Sequence, residues 1–378
     1  MGMTVRCAST ILWHERMRYL PAVVAVGFSA LLIAIQSGVL IGTLSFTSIP
    51  IDRGRAQIWV GSRDAPSIEM GDAIPEGWLH RLDGRPEITQ SERYLYDFAY
   101  WTKPGGGSAT ICVVGFVPGS QSLGAVADLQ ATIRDRLAEP GTVVIDASDV
   151  KRLGLRRGVG ESAEICRQRV RVVGLVEGYQ AIWGPYVFCS LETARQLLPQ
   201  FRRDQAMYLL ARCRPGTDLP GLAARLRHEY PEMEVFTAAE FSLRTRTYWL
   251  TQTQVGTAMG LTPALALLVG LVITSQTLRA AVSASLRELA ALRALGIPEW
   301  RLGALLLVLS FEIGLGGLLI AAPAMYALGW AAAWIGTKVL LDAGLVAATV
   351  CLTLGISLLS GVSVLGTLRG IEPVQLLR

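Results

Sequence analysis

Residues 283–302 read SASLRELAALRALGIPEWRL, a stretch carrying Arg287, Glu288, Arg293, Glu299 and Arg301 between two long segments almost without charge. Leu286, Leu289, Leu292 and Leu295 recur at every third position and predict a short helix with a slowly drifting apolar ridge. Gly296 is placed to end that helix in a left-handed cap, and Pro298 keeps it from continuing. From physics alone this is a helix resting on lipid headgroups with its arginines toward anionic lipid. What it divides decides the fold class.

Four segments are long enough to cross a bilayer. Residues 21–46, 247–278 and 344–368 have no formal charge, and 302–337 has only Glu312. Each exceeds the roughly 20 residues that a hydrocarbon core of about 30 Å requires. A composition of 51% hydrophobic and 17% charged residues, with mean hydropathy +0.41, agrees with membrane embedding. The reading is an α-helical membrane protein with four transmembrane helices and a mixed α+β domain inserted between helices 1 and 2. Its boundaries are an amphipathic cytoplasmic helix (1–18), helix 1 (19–46), the inserted domain (47–246), helix 2 (247–280), the charged linker (281–300), helix 3 (301–337), a short loop (338–343), helix 4 (344–368) and a C-terminal tail (369–378).

Basic residues close to membrane segments stay in the cytoplasm. Arg6, Arg16 and Arg18 lie in the N-terminal tail, Arg279, Arg287, Arg293 and Arg301 in and around the linker, and Arg369 and Arg378 at the end. Both termini and the linker are therefore expected inside, and the inserted domain outside. The net charge of +5 is largely this asymmetry, which argues against a nucleic-acid partner. The first apolar run is about twice the 7 to 15 residues of a secretory signal core and is read as an uncleaved anchor. Within it, Gly38 and Gly42 form a small-xxx-small pattern that lets another helix come close.

In the inserted domain, short β-branched or alternating runs predict strands at QIWVG, YLYDFAYW, ATICVVGFV, TVVID, RVRVVGLV, PYVFC, QAMYLLARC and MEVFTA. Helical pieces are EGWLHRL, ASDVKRLG, SLETARQLL and DLPGLAARLRHEY, with Asp146 or Ser148, Ser190 and Asp218 as starts. AAEFSLRTRTYWL reads as a helix running straight into the second span. Cys112, Cys166, Cys189 and Cys213 lie in this domain; an oxidising compartment permits two disulfides in any of three connectivities, and small buried side chains are the plainer reading.

Catalytic chemistry finds no constellation. Asp146 and Asp149 sit where carboxylates cap helix N-termini, Gly105–Gly107 lacks a following Lys-Ser/Thr and reads as a hairpin loop, and Ser120 and Ser122 make no nucleophile elbow. No C-x-x-C occurs, and His14, His80 and His228 are the only histidines, so a metal site has no support. The chain also lacks a G-x-x-x-x-G-K-[ST] loop, so ATP hydrolysis would fall to another subunit. One ionisable residue lies deep in a span: Glu312 is about 11 residues, or roughly 16 Å, beyond Arg301. Its SFEIGLGG surroundings suit helix packing, leaving a functional carboxyl and an interhelical structural hydrogen bond both open.

LRELAALRALGIPEWRL resembles the signature of FtsX/MacB-type permeases of ABC transporters, in which an (R/K)E(x)A(x)LRA(x)G run after the second membrane helix forms the cytoplasmic coupling helix. EPGTVVIDASDVKRLGLRRGVGESAEI, RVRVVGLVEG and PYVFCSLETARQLL resemble the periplasmic core domain of the same superfamily, and GIEPVQLLR is similar to its P-x-x-x-L-R ending. Glu312 falls where members often carry a Glu. Gln36 followed by Gly38 late in the first span is similar to the DevC-like branch. Residues 62–135 match only loosely.

The resemblance implies a bacterial inner-membrane permease that is not itself an enzyme and binds no cofactor, ATP and Mg being held by a separate ABC ATPase subunit. It implies docking of that ATPase on Arg287, Glu288, Leu292, Arg293 and Gly296. It further implies a homodimer paired through the first two spans, where Gly38 and Gly42 lie, with a periplasmic membrane fusion protein and an outer-membrane channel as partners in export of lipid or another envelope molecule. The alternative within the resemblance is an FtsX-like transducer that activates a periplasmic cell-wall hydrolase.

Overall fold

A computed structural model describes residues 14, 16–125, 129–284, 298–334 and 339–369. Arg287, Glu288, Leu292, Arg293 and Gly296 lie outside the described residues, as do the C-terminal PVQLLR and most of the N-terminal tail. The chain divides into two compact units, one of Met1–Thr43 with Thr257–Arg378 and one of Leu44–Gly256.

The first unit is built on helices α1 (Arg16–Ser45), α8 (Gln254–Ala284), α9 (Glu299–Trp334) and α10 (Ala343–Arg369). Four spans within them, Met17–Ser45, Gln254–Ala281, Trp300–Ala332 and Ala343–Val362, are long and apolar enough to cross a bilayer. Small residues set the packing, because lipid gives helices no hydrophobic reason to associate and close backbone contact must supply it. Gly27 of α1 meets Gly317 of α9 so closely that an added Cβ would stand 2.8 Å from the Gly317 carbonyl oxygen. Gly270 of α8 packs on Ser29 and Ile33 of α1, Gly314 of α9 on Ser357 of α10, and Ser275 of α8 lies 3.1 Å from Ser360 of α10, oxygen to oxygen.

The second unit holds the inserted domain, whose strands are β1 (Ile58–Ser62), β2 (Ile74–Pro75), β3 (Ile88–Thr102), β4 (Ser108–Phe116), β5 (Thr142–Asp146), β6 (Ser162–Ile165), β7 (Gln168–Val176), β8 (Tyr186–Ser190), β9 (Gln205–Ala206), β10 (Tyr208–Cys213) and β11 (Met233–Thr237). Its helices are α2 (Ile49–Asp52), α3 (Leu79–Asp83), α4 (Ala131–Leu137), α5 (Leu191–Leu197), α6 (Leu219–Glu229) and α7 (Ala238–Thr251). Nine strands form one sheet in the order β11-β1-β10-β3-β4-β8-β5-β7-β6.

Strand β3 does double duty. Its first half pairs with β10 in an antiparallel sheet whose one face carries Val60, Leu209 and Val235 against Leu82 of α3 and Leu222 and Leu226 of α6. Its second half pairs with β4, and at Trp101 and Thr102 also with β6, which returns the order to β3 and closes a small barrel. Alternation decides the faces: Ile58 and Val60 enter the first core while Trp59 between them enters the barrel-side core.

All eight strands expected from the sequence are present, as are helices at LETARQL and LPGLAARLRHE, capped by Ser190 and Asp218. Gly105–Gly107 is indeed a hairpin loop, with Gly106 and Gly107 at positive φ. Three expectations need correction. ASDVKRLG is one 3-10 turn (Ala147–Asp149) rather than a helix, since Gly154 turns the chain at φ 74° and Leu155 N–H closes back on the Val150 carbonyl at 3.0 Å. The helix from the inserted domain does not run unbroken into the second span: α7 ends at Thr251 and α8 begins at Gln254. The second span accordingly starts later than residue 247, and the inserted unit is wider than 47–246. Cys112, Cys166, Cys189 and Cys213 are free, three of them buried in the core, which fits the plainer of the two readings of the sequence.

A candidate coupling site at the base of the inserted domain

Thr237 begins α7 by accepting the Glu240 N–H at 3.2 Å, and the helix presents Thr245, Arg246 and Trp249 to three neighbouring segments. Toward α2, Arg246 donates from Nη2 to Asp52 Oδ2 at 2.5 Å and from Nε to Ser48 Oγ at 2.8 Å, while Ser48 Oγ donates to Asp52 Oδ2 at 2.7 Å. Asp52 and Ser48 follow α1 directly in the chain. The triad thus ties the segment leaving α1 to the segment approaching α8.

Toward the loop after β1, Ile68 N–H donates to Thr245 Oγ1 at 3.3 Å and Trp249 Nε1 donates to Glu69 Oε2 at 3.1 Å. Tyr208 of β10 fixes the same loop by donating from its hydroxyl toward the Ile68 carbonyl at 3.0 Å. Burial pushes the Glu69 carboxyl up to about 7, and the Trp249 hydrogen bond offsets this in part. Toward the loop before β8, Trp249 stacks on Trp183 with ring centroids 4.4 Å apart.

Immediately beyond this anchored turn the helix stops. The Gln252 N–H still reaches the Tyr248 carbonyl at 2.8 Å, but Thr253 then uses one hydroxyl twice, donating to the Trp249 carbonyl at 2.6 Å and accepting from Gly256 N–H at 3.0 Å. One residue therefore closes α7 and caps α8, a built joint rather than a frayed end.

Of the residues singled out in the sequence, Asp146 does act as a cap: its carboxylate accepts from Ser148 N–H at 2.9 Å and Tyr179 N–H at 2.6 Å. Asp149 is buried beside it, with Arg152 at 3.8 Å, and burial raises its carboxyl to about 6. Gly38 packs against a segment of its own chain: an added Cβ would meet Val339 at 2.8 Å, and the Gly38 carbonyl accepts from Leu340 N–H at 3.1 Å. Gly42 is buried and Gln36 half-buried on α1. Glu312 is half-buried on α9 between Leu309 and Ile313, which pack with Tyr19, Ala22 and Val26 of α1 and Ala281 of α8. Among the described residues no cluster of His, Cys, Asp or Glu could hold a metal ion. Asp52, Glu69, Trp183, Arg246 and Trp249 were not singled out in the sequence.

Comparison with known proteins agrees with this architecture. Residues 22–229, more than half of the chain, match the family described as MacB-like periplasmic core domain, and residues 260–373 match the FtsX-like permease C-terminal family. The chain belongs to the FtsX/MacB-type permeases, components of ABC-type systems that work with an ABC ATPase and reside in the membrane. Similar solved structures include the periplasmic region of MacB from Actinobacillus actinomycetemcomitans (11% identity, covering 49% of this chain and 90% of that one, TM-score 0.35). Others are the extracellular domain of the noncanonic ABC-type transporter YknZ from Gram-positive bacteria (13%, 48% and 99%, 0.34) and a domain of a putative permease from Porphyromonas gingivalis (14%, 48% and 87%, 0.31). No curated protein sequence matches the chain.

Proposed function

We propose that this chain is the permease subunit of an ABC exporter that converts ATP hydrolysis on a separate ATPase into movement of its external domain. The supporting observation is the tie of α7 to α2 through Arg246, Asp52 and Ser48, set directly against the Thr253 joint. A helix anchored at one end of a joint passes displacement to the body it is anchored in, so motion of the membrane helices reaches the inserted domain at a defined point. The charged linker carrying Arg287, Glu288, Leu292, Arg293 and Gly296 is the ATPase docking element, with both chain termini on the same cytoplasmic side. Two copies act together, through faces of α1 and α8 whose Val24, Phe28, Leu261, Leu265 and Leu268 are exposed in the single chain. The cargo is lipid or another envelope molecule, handed to a periplasmic fusion protein and an outer-membrane channel, as in the DevC-like branch.

Purification of the chain with its native partners tests this reading. Recovery of an ABC ATPase together with a membrane fusion protein supports export. Recovery of the ATPase with a cell-wall hydrolase held at the inserted domain replaces export by transmembrane signalling.

A further inference from the structure

Trp249 ties the end of α7 to two things at once. Its carbonyl accepts the Thr253 hydroxyl at 2.6 Å, the bond on which the joint to α8 is built. Its ring occupies a seat made by Trp183 and Glu69, stacked on the first at 4.4 Å and donating from Nε1 to Oε2 of the second at 3.1 Å. Whatever unseats the ring therefore moves the carbonyl that the joint needs. Further up α7 the helix has other holds, Phe241 in the aromatic core and Arg246 on Asp52. The last turn is the part that depends on the seat.

Glu69 is the member of that seat that can change charge. It is buried on the loop between β1 and β2, one residue before Met70, which is 46% exposed, so water lies a single residue away. The groups that act on it are Trp249 of α7, Ser67 of its own loop, Tyr96 of β3, Cys112 of β4, Tyr186 of β8 and Tyr208 of β10. None of these is a cation. Charged groups act on those neighbours in turn: Asp72 on Tyr208, and Asp97 and Arg152 on Cys112. Burial pushes the Cys112 thiol up to about 12 and holds the three tyrosines well above their ordinary value, so all four stay neutral between about pH 5 and 8. The Glu69 carboxyl, raised to about 7 by its own burial, does titrate there. A buried carboxylate with no cation beside it favours any arrangement that admits water. Trp183 Nε1 is also buried without a hydrogen-bond partner among the described residues, and an opened seat would give it one.

We propose that Glu69 is a proton-operated latch on the last turn of α7. With its proton on, the neutral carboxyl stays in the core, Trp249 stays seated, and Thr253 holds α7 and α8 in one fixed geometry. When the proton passes to solvent, the carboxylate turns out to water beside Met70, loop residues 67–70 leave the Trp249 ring, and the joint loosens. The latch is closed in acid and opens as pH rises through neutrality, because burial favours the protonated form. The proton concentration around the inserted domain thereby sets how firmly α7 is held at its joint. The latch is a property of the inserted unit alone and stands whether or not α7 transmits ATP-driven motion.

Fluorine NMR of the full chain in detergent, labelled with fluorotryptophan, tests it, with signals assigned through Trp249→Phe and Trp183→Phe. From about pH 5 to 8 the Trp249 and Trp183 signals should titrate together. Their solvent isotope shift between light and heavy water should rise severalfold as the rings meet water, while buried Trp59 and Trp101 of the same domain stay unchanged. In Glu69→Gln both signals should keep their acid positions at every pH; Glu69→Leu, also uncharged, serves if Gln disturbs the Trp59 and Trp101 signals. Asp149→Asn should titrate as wild type does. Signals that do not move, or a titration that survives loss of the Glu69 carboxyl or disappears in Asp149→Asn, overturn the proposal. So does a titration with no gain in solvent exposure, which would make Glu69 a titrating core group and no latch.

Discussion

Arg246 of α7 grips Asp52 of α2 at 2.5 Å, joining residues 194 positions apart in the chain. The ion pair is about one-third exposed on each side, so it adds only about 0.5 kcal/mol to stability. Its value is positional: it sets the segment after α1 against the segment before α8, next to the Thr253 joint.

Arg246→Ala should therefore leave the thermal midpoint almost unchanged and ATP turnover by the assembled complex intact. It should shrink the ATP-dependent displacement of the inserted domain, read as distance changes between spin labels placed there in the two copies. Displacement equal to wild type would remove the clamp from the transmission path.

Helix packing gives a second expectation. A Cβ on Gly317 would lie 2.8 Å from both Gly27 N and Val26 Cγ1, so backbone has to move. Gly317→Ala should cost about 1–3 kcal/mol, measured by unfolding in detergent. Gly355→Ala, with nothing within 4 Å of its added Cβ, should be neutral or slightly stabilising in the same assay.

Glu69 makes stability pH-dependent. Its folded value is raised from 4.5 to about 7, so between these the folded chain holds a proton that the unfolded chain has lost. The contribution is complete below about pH 4.5 and is lost as pH rises toward and through 7, amounting to about 3 kcal/mol at most. Glu69→Gln should flatten this part of the stability profile and raise stability at pH 8 relative to wild type. A Glu69→Gln profile that falls as steeply as wild type from pH 5 to 8 would assign the dependence elsewhere, for example to Asp149, a buried carboxyl likewise raised, to about 6.

Most of the fold was legible because it is written locally. Continuous apolar runs mark the spans, alternation marks β3, β4 and β7, and Ser190 and Asp218 mark helix starts within three residues of the amides they cap. The joint at Gln252–Thr253 was hidden, since TQTQ contains neither Pro nor Gly and the break depends on one threonine hydroxyl serving both helices. The coupling site was hidden for another reason. Arg246 reads as one more charge on an amphipathic helix, and its partner Asp52 and the Trp249–Glu69 pair, 180 residues apart, are brought together only by the β1–β11 and β1–β10 pairings. Nor did the small-residue pattern around Gly38 point to Val339–Leu341, the segment of the same chain that packs against it.

The central claim is that ATP hydrolysed on a partner subunit drives this chain through the charged linker between the second and third spans. Co-purification of the full chain with its ABC ATPase, and ATP turnover of the complex, should both be lost in an Arg287→Glu, Arg293→Glu double variant that still reaches the membrane at wild-type level. Assembly and turnover unchanged in that variant would contradict the account.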